Sequence, residues 1–142
     1  MSPLKRSALV LALAGALAVP VIAAPITIKL ATAVPAGSTW HKALLDMGAE
    51  WDTKTSGRVK LTVYPGSTQG DEPATIRMMR PGVDQLQANL LMAPGLAQID
   101  PAFEVFGMPF FFQDDTEAYT VLQKLAPTLE SRVNAKGFRV LA

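Results

Sequence analysis

Few side chains in this 142-residue chain could carry out catalysis or bind a metal. His41 is its one histidine and cysteine is absent, so thiolate metal sites and a cysteine nucleophile are excluded and a zinc centre is disfavoured. No GxSxG, HExxH, GxGxxG or GxxxxGK[ST] motif occurs. His41 follows Trp40 at the start of a helical pattern, which favours a partly exposed helix histidine over a hydrolytic base. We therefore expect no enzyme activity, no cofactor and no metal site.

Two groups of neighbouring acidic residues each precede a predicted helix. Asp71 and Glu72 come before Pro73, where a carboxylate satisfies free backbone N–H groups and the helix dipole. The same pair could face a ligand, because it follows the end of a strand. The second group, residues 114–117, lacks the alternating ligand spacing and the glycine of an EF-hand loop. It is interpreted as helix capping.

Amide and aromatic side chains complete the candidates for ligand contact. Asn89 and Gln87 lie in an apolar strand pattern, and a buried amide needs a partner, which is either a neighbouring residue or a bound ligand. Trp40 and Trp51 share the apolar face of one helix, but Trp40 lies in the first turn and is the better candidate for ligand contact. The apolar run 103–112 is interpreted as a buried strand rather than an aromatic platform.

Hydrophobic periodicity predicts the elements that position these residues. Alternation of apolar and polar residues predicts strands, and apolar residues three and four apart predict helices. The predicted strands are 26–33, 59–63, 86–90 and 138–142. The predicted helices are one that starts at Ser38 or Thr39 and stops before Gly57, and three more at 74–80, 114–125 and 127–136.

Strands that alternate with helices predict an α/β fold with a mainly parallel sheet flanked by helices. Such sheets bind ligands in the crevice outside the carboxyl ends of their strands. Here those ends carry residues 34–37, 64–71 and 91–95, which are polar, small or rich in glycine and proline. The last predicted strand has no following element to cover it, so we expect an incomplete sheet.

The N-terminus has the pattern of an export signal. Lys5 and Arg6 precede an apolar block at 8–19, which is shorter than the roughly 20 residues of a membrane-spanning helix. Residues 1–23 are predicted to be a cleavable signal peptide, with an uncleaved anchor as the alternative, and residues 24–142 to be one periplasmic domain. Without Lys5 and Arg6, eleven basic residues face twelve acidic ones, which argues against nucleic acid as a partner.

The order of several segments adds a family resemblance. Strand 28–32 is followed by GRVKLTVYP at 57–65, by a loop ending in GDE at 70–72, by FGMPFFF at 106–112 and by AKGFRVL at 135–141. Through residues 26–142 the chain resembles the solute receptors of tripartite ATP-independent periplasmic (TRAP) transporters, of the DctP type.

The resemblance implies a two-lobed α/β receptor that closes on a small organic acid and delivers it to membrane permease subunits without catalysis. Residues 24–142 then correspond to the N-terminal lobe, and the second lobe is absent. The family holds the solute carboxylate with an arginine from the second lobe, a role that no arginine of this chain matches. The resemblance also implies first-lobe contacts after Thr32, at 69–71 and around 89–92. The candidate ligand-binding residues are Trp40, Gln69, Asp71 and Asn89.

The sequence leaves two other functions possible for this chain. One is a self-contained periplasmic α/β module that contacts another protein through its open sheet edge. The other is an exported hydrolase that uses His41 together with an Asp or Glu.

Overall fold

The computed structural model describes residues 24–141, so the predicted signal peptide at 1–23 lies outside the described residues. Along the chain, the strands are Ile26–Thr32 (β1), Val59–Tyr64 (β2) and Ala88–Leu90 (β3). The α-helices are Thr39–Lys54 (α1), Glu72–Met78 (α2), Ala93–Ile99 (α3) and Asp115–Asn134 (α4), and Pro101–Gly107 is a 3₁₀ helix. None of the helices within 24–141 has the length and apolar character needed to cross a membrane.

The three strands form one parallel sheet in the order β2-β1-β3. β1 pairs with β2 along residues 26–31 and with β3 along residues 30–32. The β1-to-β2 and β2-to-β3 crossovers run in opposite directions along the sheet, so right-handed connections place α1 and α2 on opposite faces. This arrangement confirms the predicted α/β fold with a parallel sheet flanked by helices.

Capping residues determine where the first two helices begin. Ser38 Oγ accepts a hydrogen bond from His41 N at 3.2 Å at the start of α1. Asp71 Oδ1 accepts one from Ala74 N at 2.8 Å at the start of α2. Each bond satisfies a backbone donor that has no partner within its helix. Both caps were predicted from the sequence.

The apolar core lies around α2, α3, the 3₁₀ helix and α4. Its buried members are Ile76, Ile99, Phe103, Leu129 and Val133. By contrast, α1 has no buried residue. It lies against β2, where a Cβ added at Gly48 would stand 3.0 Å from Leu61 Cβ. Trp40, which shares the apolar face of this helix, is not packed in a core, because its side chain is 65% exposed.

The apolar run 103–112 is not a strand, which corrects the prediction. Asp100 Oδ1 accepts from Ala102 N at 3.0 Å and starts the 3₁₀ helix, which buries Phe103. The chain then turns, and Phe110 is fully exposed with a φ of 59°. The run is apolar, as a buried strand would be, but Pro109 has no backbone N–H to donate to a neighbouring strand.

Two further predictions about helices are wrong. Residues 93–99 form α3, whereas 91–95 was predicted to be loop. The predicted break before Pro127 is absent, and α4 runs through it. A proline inside a helix costs about 3 kcal/mol, and here burial of Leu129 and Val133 after the proline offsets that cost.

The predicted last strand has no regular secondary structure between residues 138 and 141. Phe138 and Val140 are half-buried against the core, and Arg139 and Leu141 are exposed. The alternation of a strand is therefore present, but this segment lacks the ladder hydrogen bonds that define one.

Candidate functional site

The carboxyl ends of the three strands are joined by a set of hydrogen bonds. Gly66 N donates to Val34 O at 2.8 Å and Ser67 N donates to Thr32 O at 3.0 Å, which ties the loop after β2 to the end of β1. Thr32 Oγ1 donates to Leu90 O at 3.1 Å, which ties β1 to β3. These bonds bring the segments 32–37, 64–72 and 89–95 to one edge of the sheet, called here the carboxyl edge.

Asp71 and Asn89 meet at this edge through Thr75. Thr75 Oγ1 lies 3.2 Å from Asp71 O and 3.0 Å from Glu72 O, and its single proton serves these carbonyls. The hydroxyl oxygen accepts from Asn89 Nδ2 at 2.6 Å. This pattern orients the amide so that Asn89 Oδ1 is the remaining acceptor.

Asn89 Oδ1 is buried and has no hydrogen-bond partner among residues 24–141. Leaving a buried acceptor unpaired costs about 1–3 kcal/mol. Buried polar atoms of this kind are uncommon in folded proteins and call for an explanation in each case. The sequence left open whether the Asn89 amide bonds to a neighbouring residue or to a ligand. In the structure, Asn89 Nδ2 has a neighbouring partner, Thr75, and Oδ1 has none among residues 24–141.

Asp71 follows a sharp turn that points its side chain into solvent. Gly70 has a φ of 108°, which L-residues with a side chain rarely adopt, and Gly70 N donates to Ser67 O at 2.9 Å. Asp71 Oδ1 caps α2, and the residue as a whole is exposed. The capping role is thus present, and the exposed carboxylate keeps further acceptor capacity.

Glu72, which the sequence paired with Asp71 but which is not one of the four candidate ligand-binding residues, also lies at this edge. Its Oε1 accepts from Met92 N at 2.9 Å, and this backbone donor starts α3, where Met92 supplies no capping side chain. The carboxylate fits because residue 95 is glycine: a Cβ there would stand 2.7 Å from the Glu72 carboxyl carbon. No sequence pattern signalled this contact, because the two residues are far apart in the chain.

The other candidates are less connected to the edge. Gln69 is half-buried in the loop before Gly70. Trp40 stands exposed on the first turn of α1, and no hydrogen bond or aromatic pairing within 24–141 links it to Asp71 or Asn89. His41 Nδ1 accepts from Gly37 N at 3.1 Å, so this nitrogen is used in the turn before α1.

The strongest electrostatic feature of the described residues lies away from the carboxyl edge. Asp100, 2% exposed, accepts from Arg132 Nη2 at 2.8 Å and lies 3.3 Å from Lys136 Nζ. The Arg132 hydrogen bond, followed by the backbone bond from Ala102, lowers the pKa of Asp100 to about 2. These charges join the corner after α3 to α4. No group of three or more His, Cys, Asp or Glu residues within 24–141 could hold a metal ion.

Residues 30–142 match the family described as bacterial extracellular solute-binding protein, family 7, or DctP. The chain belongs to this family. Over 136 residues it is 32% identical to the C4-dicarboxylate-binding periplasmic protein DctP of Rhodobacter capsulatus, a match that covers 92% of this chain and 39% of that protein.

Solved TRAP periplasmic solute-binding proteins share the fold of this DctP-family chain. The protein from Chromohalobacter salexigens, with bound D-glucuronate, is 26% identical with a TM-score of 0.70, and the match covers 81% of this chain and 38% of that one. The protein from Roseobacter denitrificans, with bound β-D-glucuronate, is 23% identical with a TM-score of 0.71, covering 82% and 38%.

The DctP-family chain spans about two fifths of the length of the relatives it matches. The resemblance seen in the sequence is confirmed, and the self-contained interaction module is not supported. Members of this family are binding proteins rather than enzymes. The roles of Trp40, Gln69, Asp71 and Asn89 stay predictions.

Proposed function

We propose that this chain is the N-terminal lobe of the extracytoplasmic solute-binding subunit of a TRAP-type transporter. The subunit captures a small organic acid and delivers it to the membrane permease subunits. It does so by binding alone, with no catalytic step. The single observation that carries the proposal is the DctP-family match over residues 30–142.

The proposed domain organisation follows from that match and from the length of the relatives. Residues 1–23 act as a cleavable signal that exports the protein to the periplasm. Residues 24–142 form the first lobe, and polypeptide outside this range supplies the second. The relatives are long enough for this division, because the matched region is 39% of the Rhodobacter capsulatus protein.

Capture is proposed to occur at the carboxyl edge of the sheet. A solute that contacts both lobes at once stabilises the closed form of the receptor. Trp40, Gln69, Asp71 and Asn89 are the proposed contacts from the first lobe. The shared hydrogen bonds of Thr75 support the placement of Asp71 and Asn89 on one wall. The solute is proposed to be an organic acid because the Rhodobacter capsulatus relative carries C4-dicarboxylate binding in its name and the Chromohalobacter salexigens structure holds D-glucuronate.

A chimera tests this function directly. Residues 24–142 replace the matched part of Rhodobacter capsulatus DctP, and the chimera is titrated calorimetrically with succinate, tartrate and D-glucuronate. We expect the chimera to bind at least one of these acids with a micromolar dissociation constant, which corresponds to about 8 kcal/mol of binding free energy. Residues 24–142 alone, titrated in the same way, should bind far more weakly because they supply only one of the two proposed walls.

Two results would contradict the proposal. A folded chimera, judged by its circular dichroism, that binds none of the three acids would refute the receptor function. Micromolar binding by residues 24–142 alone would refute the two-lobe arrangement.

A further inference from the structure

A cavity of about 420 Å³ lies at the ends of α2 and α3 that are opposite to the carboxyl edge. It is called here the basal cavity, and its volume is within the range of small-molecule sites. α2 begins at the carboxyl edge and contains seven residues, so its length of about 10 Å separates the two places. The lining residues of the basal cavity are Ile76, Arg80, Gln98, Ile99, Lys136 and Phe138.

A close approach of two chain segments brings the two cationic residues of this cavity together. Gly137 has a φ of 84°, and a Cβ added there would stand 3.4 Å from Pro81 Cγ. Arg80 and Lys136 each come directly before one of these residues in the chain. None of the lining residues, which all belong to the described range 24–141, is acidic. An anion that enters the cavity therefore meets two cations and no carboxylate.

The positive charge beside the cavity exceeds the negative charge. Arg132 donates to Asp100 Oδ1 from Nε at 3.0 Å and from Nη2 at 2.8 Å, while Lys136 Nζ lies 3.3 Å from Oδ2. Two cations thus surround a single carboxylate. Arg80 takes part in none of the three ion pairs formed within residues 24–141, and Asp84, four residues later, forms none with it. Arg80 is therefore available to an external anion.

The helix end at the cavity is also compensated. The C-terminus of a helix carries partial negative charge and repels anions. Lys136 Nζ donates to Ile99 O at 2.8 Å and so covers a carbonyl at the end of α3. This contact lowers the electrostatic cost of placing an anion there.

The remaining lining favours a ligand with an apolar part. Ile76 and Ile99 are buried, and Phe138 is half-buried. Apolar atoms of a ligand that cover such side chains release water from them, which favours binding. Phosphate or another small inorganic anion would pair with the cations but would leave this surface uncovered.

We propose that the basal cavity is a second ligand site, for a small anion that joins one carboxylate to a short apolar chain. Arg80 and Lys136 hold the carboxylate, since a guanidinium group can donate two parallel hydrogen bonds to it. The apolar chain lies on Ile76, Ile99 and Phe138. This site goes beyond the proposed function, because the transported solute is proposed to bind at the carboxyl edge.

Three probes separate the contributions of charge and of apolar surface. Hexanoate, acetate and hexylamine are each titrated into the exported chain, residues 24–142, while NMR follows the amide shifts of residues 80, 98 and 136–138. Hexanoate should bind at least about tenfold more tightly than acetate, because it has four more methylene groups and even their partial burial contributes this much. Hexylamine has the same apolar chain with a positive charge, and it should not shift these amides.

Arg80→Gln assigns the binding to the basal cavity. Arg80 is exposed, so the chain should stay folded, and the affinity for hexanoate should fall about fivefold, as expected for a solvent-screened ion pair. Arg77→Gln is the matched control. Arg77 is also exposed, lies in the last turn of α2 and does not line the cavity, so this change should alter the affinity by less than about twofold.

The chimera with Rhodobacter capsulatus DctP shows whether the site is present in a complete receptor. It should bind hexanoate with the same shifts and with the same loss in Arg80→Gln. Equal effects of hexylamine and hexanoate, or an unchanged affinity in Arg80→Gln, would overturn the proposal. Binding to the exported chain that disappears in the folded chimera would also overturn it, because the rest of the receptor would then fill the cavity. None of these results depends on which solute binds at the carboxyl edge.

Discussion

Two sides of the molecule are packed very differently. On one side, α2, α3, the 3₁₀ helix and α4 enclose five buried apolar side chains and the buried carboxylate of Asp100. On the other side, α1 covers β2 without burying any of its own residues. These two sides are called here the packed face and the thin face. Helices of similar amphipathic pattern thus differ in what they bury, because burial depends on how many other elements meet the same face.

The largest effect that tests this contrast comes from one substitution made on both faces. Leu129→Ala removes a side chain that is 5% exposed on the packed face, and should cost about 2–5 kcal/mol of unfolding free energy. Leu45→Ala, at a position of α1 that is 50% exposed, should cost less than about 0.5 kcal/mol. Urea unfolding of the exported chain and both variants measures the two values. Equal losses would mean that the faces do not differ in packing.

Acid unfolding tests the same contrast through charge. The pKa of Asp100 is lowered from 3.8 to about 2 in the folded chain, chiefly by the Arg132 hydrogen bond. Between these values the unfolded state binds more protons, so this contribution to stability is complete above pH 3.8 and is lost as pH falls towards 2. Asp100→Asn should lower stability at neutral pH and flatten the fall in stability over this range. The loss should be smaller than for Leu129→Ala, because Arg132 and Lys136 are about half exposed and can regain water.

The control for this measurement is the ion pair on the thin face. Glu50 Oε1 lies 2.6 Å from Lys54 Nζ, and both side chains are well exposed. The pKa of Glu50 is lowered by its hydrogen bond to Lys54, but solvent screens such a pair. Glu50→Gln should change the acid unfolding curve much less than Asp100→Asn. A curve unchanged by Asp100→Asn would show that the buried charge does not contribute to acid stability.

Sequence patterns predicted the first four elements of the chain better than the later ones. β1, α1, β2 and α2 have strong local signals: period-two alternation, a capping Ser38 and a capping Asp71. The formation of α3 and the course of α4 through Pro127 depend on contacts between distant residues, which local patterns do not contain. The same reason explains the candidate site. Asp71 was found from its place before a helix, whereas the Glu72 contact with Met92 joins residues twenty apart in the chain.

A double-mutant cycle at the carboxyl edge tests that contact. Gly95→Ala alone should be neutral or destabilising, because the new methyl group displaces the Glu72 carboxylate from Met92 N. In a Glu72→Ala background the obstacle is gone, and Gly95→Ala should stabilise α3 by up to about 1 kcal/mol through helix propensity. The coupling between the two sites should be about 1–2 kcal/mol by urea unfolding. Additive effects would show that Glu72 does not hold the start of α3.

The smallest expected effect concerns the exposed turn at Phe110, which follows the 3₁₀ helix of the packed face. Phe110 has a φ of 59° and is fully exposed, so its side chain contributes no burial within the described residues. A left-handed conformation costs an L-residue about 1–2 kcal/mol, which glycine avoids, while glycine adds about 0.5–1 kcal/mol of chain entropy to the unfolded state. Phe110→Gly should therefore stabilise the chain by about 0.5 kcal/mol.

Phe111→Gly is the matched control. Phe111 has no positive φ, and its ring pairs edge-on with that of Phe112 at a centroid distance of 5.0 Å, so this change should destabilise the chain. Urea unfolding of both variants gives the two changes in unfolding free energy, and opposite signs would show that the backbone at Phe110 is strained. Destabilisation by both changes would mean that the exposed Phe110 contributes to packing.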